Sequence, residues 1–209
     1  TAHGKKEYFD RGAIQNGALA GLGLELFWLE DPVDLYFIHI QGSARLSFED
    51  GSFMRVSYAA KSGHPYTSVG TILVRLGEMK LEDVSMQSIK FWLNQNSSRR
   101  DEILNRNRSF IFFKTFDQSN HNLGPIGAAG VPLTSARSMA VDHKLYSFGL
   151  PFWVETINNF VDCNYRFRKL LIAQDTGSAI VGAQRGDYFV GSGKQAGLIA
   201  GQIKHRASM

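Results

Sequence analysis

The pattern of hydrophobic and polar residues predicts a first half that combines a small antiparallel sheet with short helices. Alternating residues at 44–48 and 53–58 flank Asp50-Gly51, a dipeptide that favours a tight turn, and therefore predict a β-hairpin. Other apolar runs predict strands at residues 24–28, 35–40 and 109–114. Apolar residues at helical spacing predict helices at residues 10–19, 68–75, 85–93 and 100–105.

The second half shows a different pattern, in which short strands alternate with glycine turns. A segment rich in Asn, Gly and Pro, residues 117–130, marks the change and predicts a linker or crossover. Beyond it, strands are predicted at residues 138–141, 151–156, 169–173 and 187–190, and one helix at 195–199. This pattern favours a small closed barrel. The sequence therefore predicts two domains, residues 1–115 and 116–209.

Composition is that of an ordinary globular protein and excludes several classes. Hydrophobic residues make up 44% and charged residues 20%, and no stretch approaches the roughly 20 apolar residues of a membrane-spanning helix. The net charge of +4 is spread along the chain. A nucleic-acid-binding protein usually concentrates Lys and Arg on one face, so we expect no nucleic-acid partner.

The cysteine, histidine and glycine patterns do not favour a metal or nucleotide site. Cys163 is the single cysteine, which excludes an internal disulfide and a cysteine-based metal site. None of the six histidines forms a His-x-x-x-His pair. The glycine cluster at residues 124–130 lacks the lysine of a phosphate-binding loop. We therefore expect neither a metal nor a cofactor.

Two aspartates in the second half are the candidates for chemistry. Asp175 precedes Thr176-Gly177, where it could accept turn hydrogen bonds or act chemically. Asp187 is followed directly by apolar residues, and we expect them to cover its carboxyl group. Such cover disfavours the charged form and raises the pKa of a carboxyl group. A raised pKa is what a general acid for a glycosidic oxygen requires.

The surrounding motifs carry a family resemblance. Arg137-Ser138-Met139-Ala140-Val141-Asp142, Phe148-Gly149, Ala173-Gln174-Asp175-Thr176-Gly177 and Arg185-Gly186-Asp187 resemble the three-aspartate domain. In the first half, Asp31-Pro32-Val33-Asp34, Ile40-Gln41-Gly42-Ser43, residues 57–66 and Ser85-Met86-Gln87 resemble the second domain of membrane-bound lytic murein transglycosylase A. The two sets of motifs, in this order, identify the chain as a member of that family.

The resemblance implies a fold that is mainly β with some α (α+β). It consists of a double-psi β-barrel domain and a second, smaller β-rich domain with helices, with a groove between them. We expect the N-terminal strands of the barrel, and its closing strand after Lys204, to lie outside this chain.

The resemblance also implies the activity of a peptidoglycan lytic transglycosylase. Such enzymes cleave the β-1,4 bond between N-acetylmuramic acid and N-acetylglucosamine and form 1,6-anhydromuramic ends. Asp187 would act first as acid and then as base, Asp175 would orient it or favour its protonated form, and Asp142 would be a structural turn residue. The alternatives are a non-catalytic glycan-binding module and a hydrolytic glycosidase.

Candidate substrate-binding residues follow from the same resemblance, although each could instead support a turn. They are Gln41, Ser43, Tyr58, Lys61, His64 and Tyr66 in the first domain, and Ser178 and Arg185 in the barrel. The implied partners are peptidoglycan glycan strands. We expect a monomer on the periplasmic side of a bacterial cell envelope, near the outer membrane, with peripheral or lipid-anchored membrane association through N-terminal sequence outside the chain.

Overall fold

The structure, a computed structural model, describes residues 7–116, 123–159, 166–203 and 205–209. The predicted linker therefore lies partly outside the described residues, and Cys163 lies entirely outside them. The chain divides into two compact units, Thr1–Gln118 and Ser119–Met209, each described by itself. In the described ranges, none of the helices has both the length and the apolar composition of a membrane span.

Unit 1 opens with the predicted N-terminal helix. It consists of α1 (Arg11–Ala13) and a π-helical continuation, Ile14–Ala18. Asp10 caps the helix because its carboxylate accepts the N–H of Ala13 at 3.0 Å.

The next apolar run is a helix, α2 (Pro32–Gln41), and the strand predicted at residues 35–40 is wrong. Asp31 caps the start of α2 by accepting the N–H of Val33 at 2.7 Å. Gly42 ends it in the left-handed conformation with a φ of 73°. The buried side chains recur at helical spacing, at Val33, Tyr36 and Phe37. Caps and burial thus decide a run that periodicity alone leaves ambiguous.

The strand predicted at residues 24–28 is also wrong, since this segment has no regular secondary structure. Leu24, Leu26 and Trp28 are 56%, 47% and 87% exposed. Within the described residues no strand pairs with the segment, and an alternating pattern needs such a partner to become a strand.

Helices α3 (Val69–Arg75), α4 (Met86–Gln95) and α5 (Ser97–Asn105) confirm the remaining helix predictions in unit 1. A short 3-10 turn, Leu81–Asp83, precedes α4. Ser85 and Ser88 form a reciprocal capping box at the start of α4. Together with α2, these helices bury one apolar core, which includes Val33, Tyr36, Leu73, Leu93, Ile103 and Leu104.

The sheet of unit 1 has three antiparallel strands in the order β1 (Ser43–Ser47), β2 (Phe53–Lys61) and β3 (Ile111–Phe116). The hairpin of β1 and β2 confirms the prediction, and Asp50 accepts the N–H of Ser52 in its turn at 2.9 Å. The register of β2 with β3 shifts between Tyr58 and Ala60.

Unit 2 contains a five-stranded sheet that confirms the four strands predicted after residue 130. The strands are β4 (Ser138–Val141), β5 (Pro151–Asn159), β6 (Arg166–Asp175), β7 (Gly186–Tyr188) and β8 (Ala207–Ser208). Their order is β7-β4-β6-β5-β8, and β4 runs parallel to β6 while the other pairs are antiparallel. Helix α6 (Lys194–Ala200) confirms the prediction at residues 195–199.

The end of unit 2 contains a short strand that the sequence did not predict. This strand, β8, pairs with β5 through Ser208 opposite Glu155 and Ala207 opposite Thr156. The alternation of only two residues gives a sequence pattern too short to detect. In the interior, all four residues of β4 are buried, and the core is formed by Met139, Val141, Phe167, Leu171 and Ala173.

Candidate active site

Two strands hold Asp175 and Asp187 on either side of Ala140. Ala140 in β4 is the cross-strand partner of Asp187 in β7 and of Asp175 in β6. Because neighbouring strands lie about 4.8 Å apart, the Cα atoms of the two aspartates are about 10 Å apart. The structure therefore places the two aspartates that the sequence singled out at one register of the sheet, on the two strands that flank β4.

A β-bulge sets the register of Asp175. The pairing of β4 with β6 shifts just before Ala140, so Gln174 has no opposite residue and Ala140 opposes Asp175. In an unshifted register Asp175 would oppose Val141, which is completely buried in the core. Bulges of this kind redirect the side chains that follow them. The bulge thus keeps a carboxyl group out of the core and aligns it with Asp187.

The carboxyl group of Asp175 is half-buried at the end of β6. Burial raises the pKa of Asp175 above its ordinary value, and two backbone hydrogen bonds, from Ala128 and Thr176, act in the opposite direction. The N–H of Ala128 lies 2.9 Å from Oδ1 of Asp175. Asp175 therefore loses its proton at a higher pH than a solvent-exposed aspartate does.

Asp187 lies in a different environment from the one the sequence predicted. Its side chain is 47% exposed and pairs with Arg185, whose Nε and Nη2 lie 2.6 Å and 3.2 Å from the two carboxylate oxygens. The expectation that apolar neighbours cover this carboxyl is wrong for the described residues. Asp187 is exposed because side chains alternate along β7: Tyr188 packs against the core, and Asp187 lies on the other side of the strand.

Asp142 has the contacts expected of a structural turn residue. Its Oδ2 accepts the N–H of Gly182 at 2.8 Å and its Oδ1 accepts the N–H of Lys144 at 3.0 Å. These two hydrogen bonds, that of Gly182 first, lower the pKa of Asp142. The carboxylate thus ties the end of β4 to the loop before β7.

Four of the predicted glycan contacts lie on an accessible part of unit 1. Gln41 is exposed at the end of α2, and Ser43 begins β1 directly after Gly42. Tyr58 in β2 is 48% exposed. A Cβ atom at Gly42 would lie 3.9 Å from the Cβ of Tyr58, so this turn and Tyr58 are neighbours. Lys61 is exposed at the end of β2.

His64 is in a different situation, because it is only 5% exposed. Its Nε2 lies 2.7 Å from the carbonyl oxygen of Tyr8, and its Nδ1 lies 3.2 Å from a carboxylate oxygen of Glu7. Both ring nitrogens are therefore engaged in holding the N-terminal segment. This geometry favours a structural role for His64 over the predicted contact with glycan.

Tyr66 lines a cavity of about 210 Å³ formed largely by apolar side chains of α2, α3 and α4. Burial raises the pKa of Tyr66, while a hydrogen bond with Ser68 and the charge of Arg11 lower it. Of the two roles that the sequence left open for Tyr66, this environment favours scaffold over glycan contact.

The two predicted contacts in unit 2 lie between the aspartates along the chain. Ser178 is exposed in the turn that follows β6. Arg185 precedes β7, and its hydrogen bond to Asp187 raises the pKa of its guanidinium. Arg185 thus belongs to the immediate surroundings of a candidate catalytic residue.

Sequence reasoning missed two features beside Asp175. The first is the amide of Ala128, which leaves no mark in a side-chain pattern. The second is His143, whose Nδ1 lies 3.2 Å from Oγ1 of Thr176. Because the hydroxyl of Thr176 donates to the carbonyl of Val141 at 2.8 Å, it accepts from an Nδ1–H of His143. The adjacency of His143 to the Asp142 motif was the available signal.

Among the residues that the structure describes, no three His, Cys, Asp or Glu side chains come together as a set of metal ligands. The polar groups nearest Asp175 and Asp187 are instead backbone amides and one guanidinium. This arrangement suits proton transfer and the compensation of a carboxylate charge.

Two family models match the chain. Residues 1–114 match the MltA specific insert domain, and residues 137–209 match the 3D domain. The first of these matches covers more than half of the chain, and the second contains Asp142, Asp175 and Asp187.

Curated relatives share the same similarity. The chain is 36% identical over 203 residues to membrane-bound lytic murein transglycosylase A of Escherichia coli (strain K12). It is 35% identical over 201 residues to the protein of the same name from Vibrio cholerae serotype O1. Each alignment covers 93% of this chain and 53% of the relative. The chain thus spans about half the length of the curated relatives it matches.

Solved structures agree with these matches. A membrane-bound lytic murein transglycosylase from Agrobacterium tumefaciens has a TM-score of 0.90 and 44% identity, covering 97% of this chain and 55% of that chain. E. coli MltA with bound chitohexaose has a TM-score of 0.83 and 32% identity, covering 93% and 58%. These similarities confirm the predicted α+β class with a double-psi β-barrel. On both sequence and structure, the chain belongs to the membrane-bound lytic murein transglycosylase A family.

Proposed function

We propose that this chain is part of a lytic transglycosylase that cleaves the β-1,4 bond between N-acetylmuramic acid and N-acetylglucosamine in peptidoglycan. The observation that carries the proposal is the placement of Asp175 and Asp187 at one register on both sides of Ala140, in a chain of this family. Its curated relatives are named lytic murein transglycosylases, and one solved relative has chitohexaose bound.

The proposed reaction needs one carboxyl group and no water. Protonated Asp187 donates its proton to the glycosidic oxygen as the bond from that oxygen to C1 of the muramoyl residue breaks. The resulting carboxylate then takes the proton of the muramoyl 6-hydroxyl while O6 forms a bond to C1. The product carries a 1,6-anhydro ring, and Asp187 is protonated again for the next cycle.

The exposure of Asp187 gives it a role that depends on the substrate. A glycan strand can reach this half-exposed carboxyl without opening the fold. A bound sugar would displace water from the carboxyl group and so disfavour its charged form. Arg185 would compensate the negative charge between the two proton transfers. Ionised Asp175 would favour the protonated form of Asp187 by like-charge repulsion.

Accessible polar residues of each unit are the proposed glycan contacts. Hydroxyl, amide and amine groups suit the hydroxyl and acetamido groups of a sugar, and Tyr58 offers an aromatic face as well. The proposed contacts are Gln41, Ser43, Tyr58 and Lys61 in unit 1, with Ser178 and Arg185 in unit 2.

The proposed partners and location follow from the family. We propose that the protein acts as a monomer on glycan strands in the bacterial cell envelope, on the periplasmic side. The name of its relatives, membrane-bound lytic murein transglycosylase, supports an association with a membrane of that envelope.

The test is to incubate purified peptidoglycan with the complete protein and to weigh the released muropeptides by mass spectrometry. A lytic transglycosylase releases products that each lack one water relative to hydrolysis products. Reducing ends in place of anhydro ends would identify a hydrolase and refute the proposed reaction. The Asp187→Asn protein serves as the negative control, because it lacks the proposed catalytic carboxyl group.

A second candidate function is a glycan-binding module that does not cut. The ion pair of Asp187 with Arg185 favours it, because binding requires no protonated carboxyl group. Cosedimentation of the protein with peptidoglycan, in the absence of any released product, would support this candidate instead.

A further inference from the structure

A four-residue turn at residues 127–130 lies against the end of β6. The N–H of Gly130 donates to the carbonyl of Gly127 at 2.9 Å and closes the turn. The N–H of Gly127 donates to the carbonyl of Val131 at 3.0 Å. Gly130 has a φ of 77°, the left-handed conformation that favours glycine. The backbone of this turn is therefore held by its own hydrogen bonds.

Two consecutive amides of the turn bind the bulge that precedes Asp175. The N–H of Ala128 donates to Oδ1 of Asp175 at 2.9 Å, and the N–H of Ala129 donates to the carbonyl of Gln174 at 3.1 Å. One bond holds the carboxyl group and the other holds the backbone beside it. The turn thus constrains both the position and the direction of Asp175.

This contact requires the absence of a side chain at Gly127. A Cβ atom there would lie 2.4 Å from the carbonyl oxygen of Gln174 and 2.6 Å from Cδ2 of Leu133. The first of these atoms belongs to the backbone of β6 and cannot rotate away. Any larger residue at position 127 would therefore push the turn from the strand.

We propose that the turn at residues 127–130 is a positioning element for Asp175, with Gly127 and the amide of Ala128 as its positioning groups. The inference rests on the proposed function, in which ionised Asp175 favours the protonated form of Asp187. The turn itself touches neither Asp187 nor the reacting bond in this assignment. It acts through Asp175.

The expected consequence is a change in the pH dependence of activity. The Ala128 hydrogen bond lowers the pKa of Asp175, so its loss allows burial to raise that pKa further. Because the proposed reaction needs ionised Asp175, activity should then begin to fall at a higher pH when the solution is acidified. A purely structural role would lower the melting temperature and leave the pH profile in place.

The test is Ala128→Pro in the complete protein, with Ala128→Ser as the matched control. Proline lacks the N–H that donates to Asp175, and it suits the second position of a turn. Serine keeps the N–H, and the side chain at position 128 is exposed. We expect Ala128→Pro to lower kcat about tenfold with an unchanged KM and to move the acidic limb upward, while Ala128→Ser retains both. If the acidic limb of the pH–activity profile stays in place in both variants, the inference is overturned.

A second pair of variants covers the case in which Ala128→Pro does not fold. Gly127→Ala should give the same shift, whereas Gly197→Ala in α6 should not, because a Cβ atom at Gly197 meets no atom within 4 Å. Direct NMR titration of Asp175 provides a readout independent of turnover. If the wild-type protein releases no anhydro products, the proposed function fails, and the titration still decides the role of the turn: a higher Asp175 pKa in the variants supports it, and an unchanged one refutes it.

Discussion

The guanidinium of Arg185 holds both carboxylate oxygens of Asp187, with Nε 2.6 Å from Oδ1 and Nη2 3.2 Å from Oδ2. The two side chains are 54% and 47% exposed. Ion pairs this exposed contribute at most about 1 kcal/mol to stability, because water and salt screen them. The contact therefore contributes little to the stability of the fold.

This geometry predicts that Arg185→Gln separates activity from stability. We expect the free energy of unfolding to change by less than about 1 kcal/mol. Release of anhydromuropeptides should fall on the order of 10²-fold, because the negative charge formed during the reaction loses its partner. Chemical denaturation and product analysis measure the two effects. A large loss of stability with little loss of turnover would assign Arg185 to the fold.

Asp187→Asn should abolish turnover in a protein that still folds and binds glycan. Asparagine preserves the shape of the side chain but cannot donate and recover a proton, so we expect a loss of at least about 10²- to 10⁴-fold. The same preparation should cosediment with peptidoglycan as the wild type does. Retained turnover would remove Asp187 from the acid role.

Asp175→Asn should cost less activity than Asp187→Asn, since Asp175 acts on its neighbour and not on the bond. The opposite ranking of the two variants would exchange their roles. Initial rates of anhydromuropeptide release, measured side by side, give the ranking.

The same variant should change the pH dependence of stability. Because the folded state raises the pKa of Asp175, this group's favourable contribution is complete at low pH and is lost as pH rises through the folded pKa. Asp175→Asn should therefore be more stable than the wild type at neutral pH, with the difference shrinking in acid. Melting temperatures across the acidic range test this, and a variant less stable at neutral pH would contradict it.

His64→Ala should destabilise unit 1 and leave the rate of glycan cleavage unchanged. Removing the ring leaves the carbonyl of Tyr8 without its partner, at a cost of about 1–3 kcal/mol in the free energy of unfolding. Lys61→Ala is the matched control, because Lys61 is exposed and its loss should change stability by less than about 0.5 kcal/mol while weakening glycan binding. Equal effects of both variants on glycan binding would restore His64 as a contact.

Chelation should leave activity unchanged. Prolonged dialysis against a strong chelator, followed by the anhydromuropeptide assay, provides the measurement. A loss of activity that zinc restores would show that the reaction needs a metal.

Local patterns predicted those elements whose cause is local. The hairpin at Asp50-Gly51 and the capped helix after Ser85 depend on neighbouring residues and appear as expected. The run at residues 35–40 does not, because its apolar side chains fit either a strand or a buried helix. The cap at Asp31 and the terminating Gly42 are the sequence features that distinguish this helix from a strand.

The candidate site divides in the same way. Motifs located Asp175 and Asp187, but the neighbours of each carboxyl group depend on which side of a strand it occupies. The residues that follow Asp187 in sequence are apolar, yet its actual partner is Arg185, two residues before it. The amide of Ala128 comes from 47 residues away and has no signature in sequence.

The burial of β4 has a consequence for how this pair of acids can change. Every residue of β4, the strand that separates them, is shielded from water, so the packing of the interior fixes the register of this strand. The spacing of the two Cα atoms is accordingly fixed by strand pairing in the interior of unit 2, because Ala140 pairs with both aspartates. Substitutions that change the pKa of either aspartate must therefore act on its surroundings, at the turns and at Arg185. The spacing of the two Cα atoms stays the same as long as the hydrophobic interior is preserved.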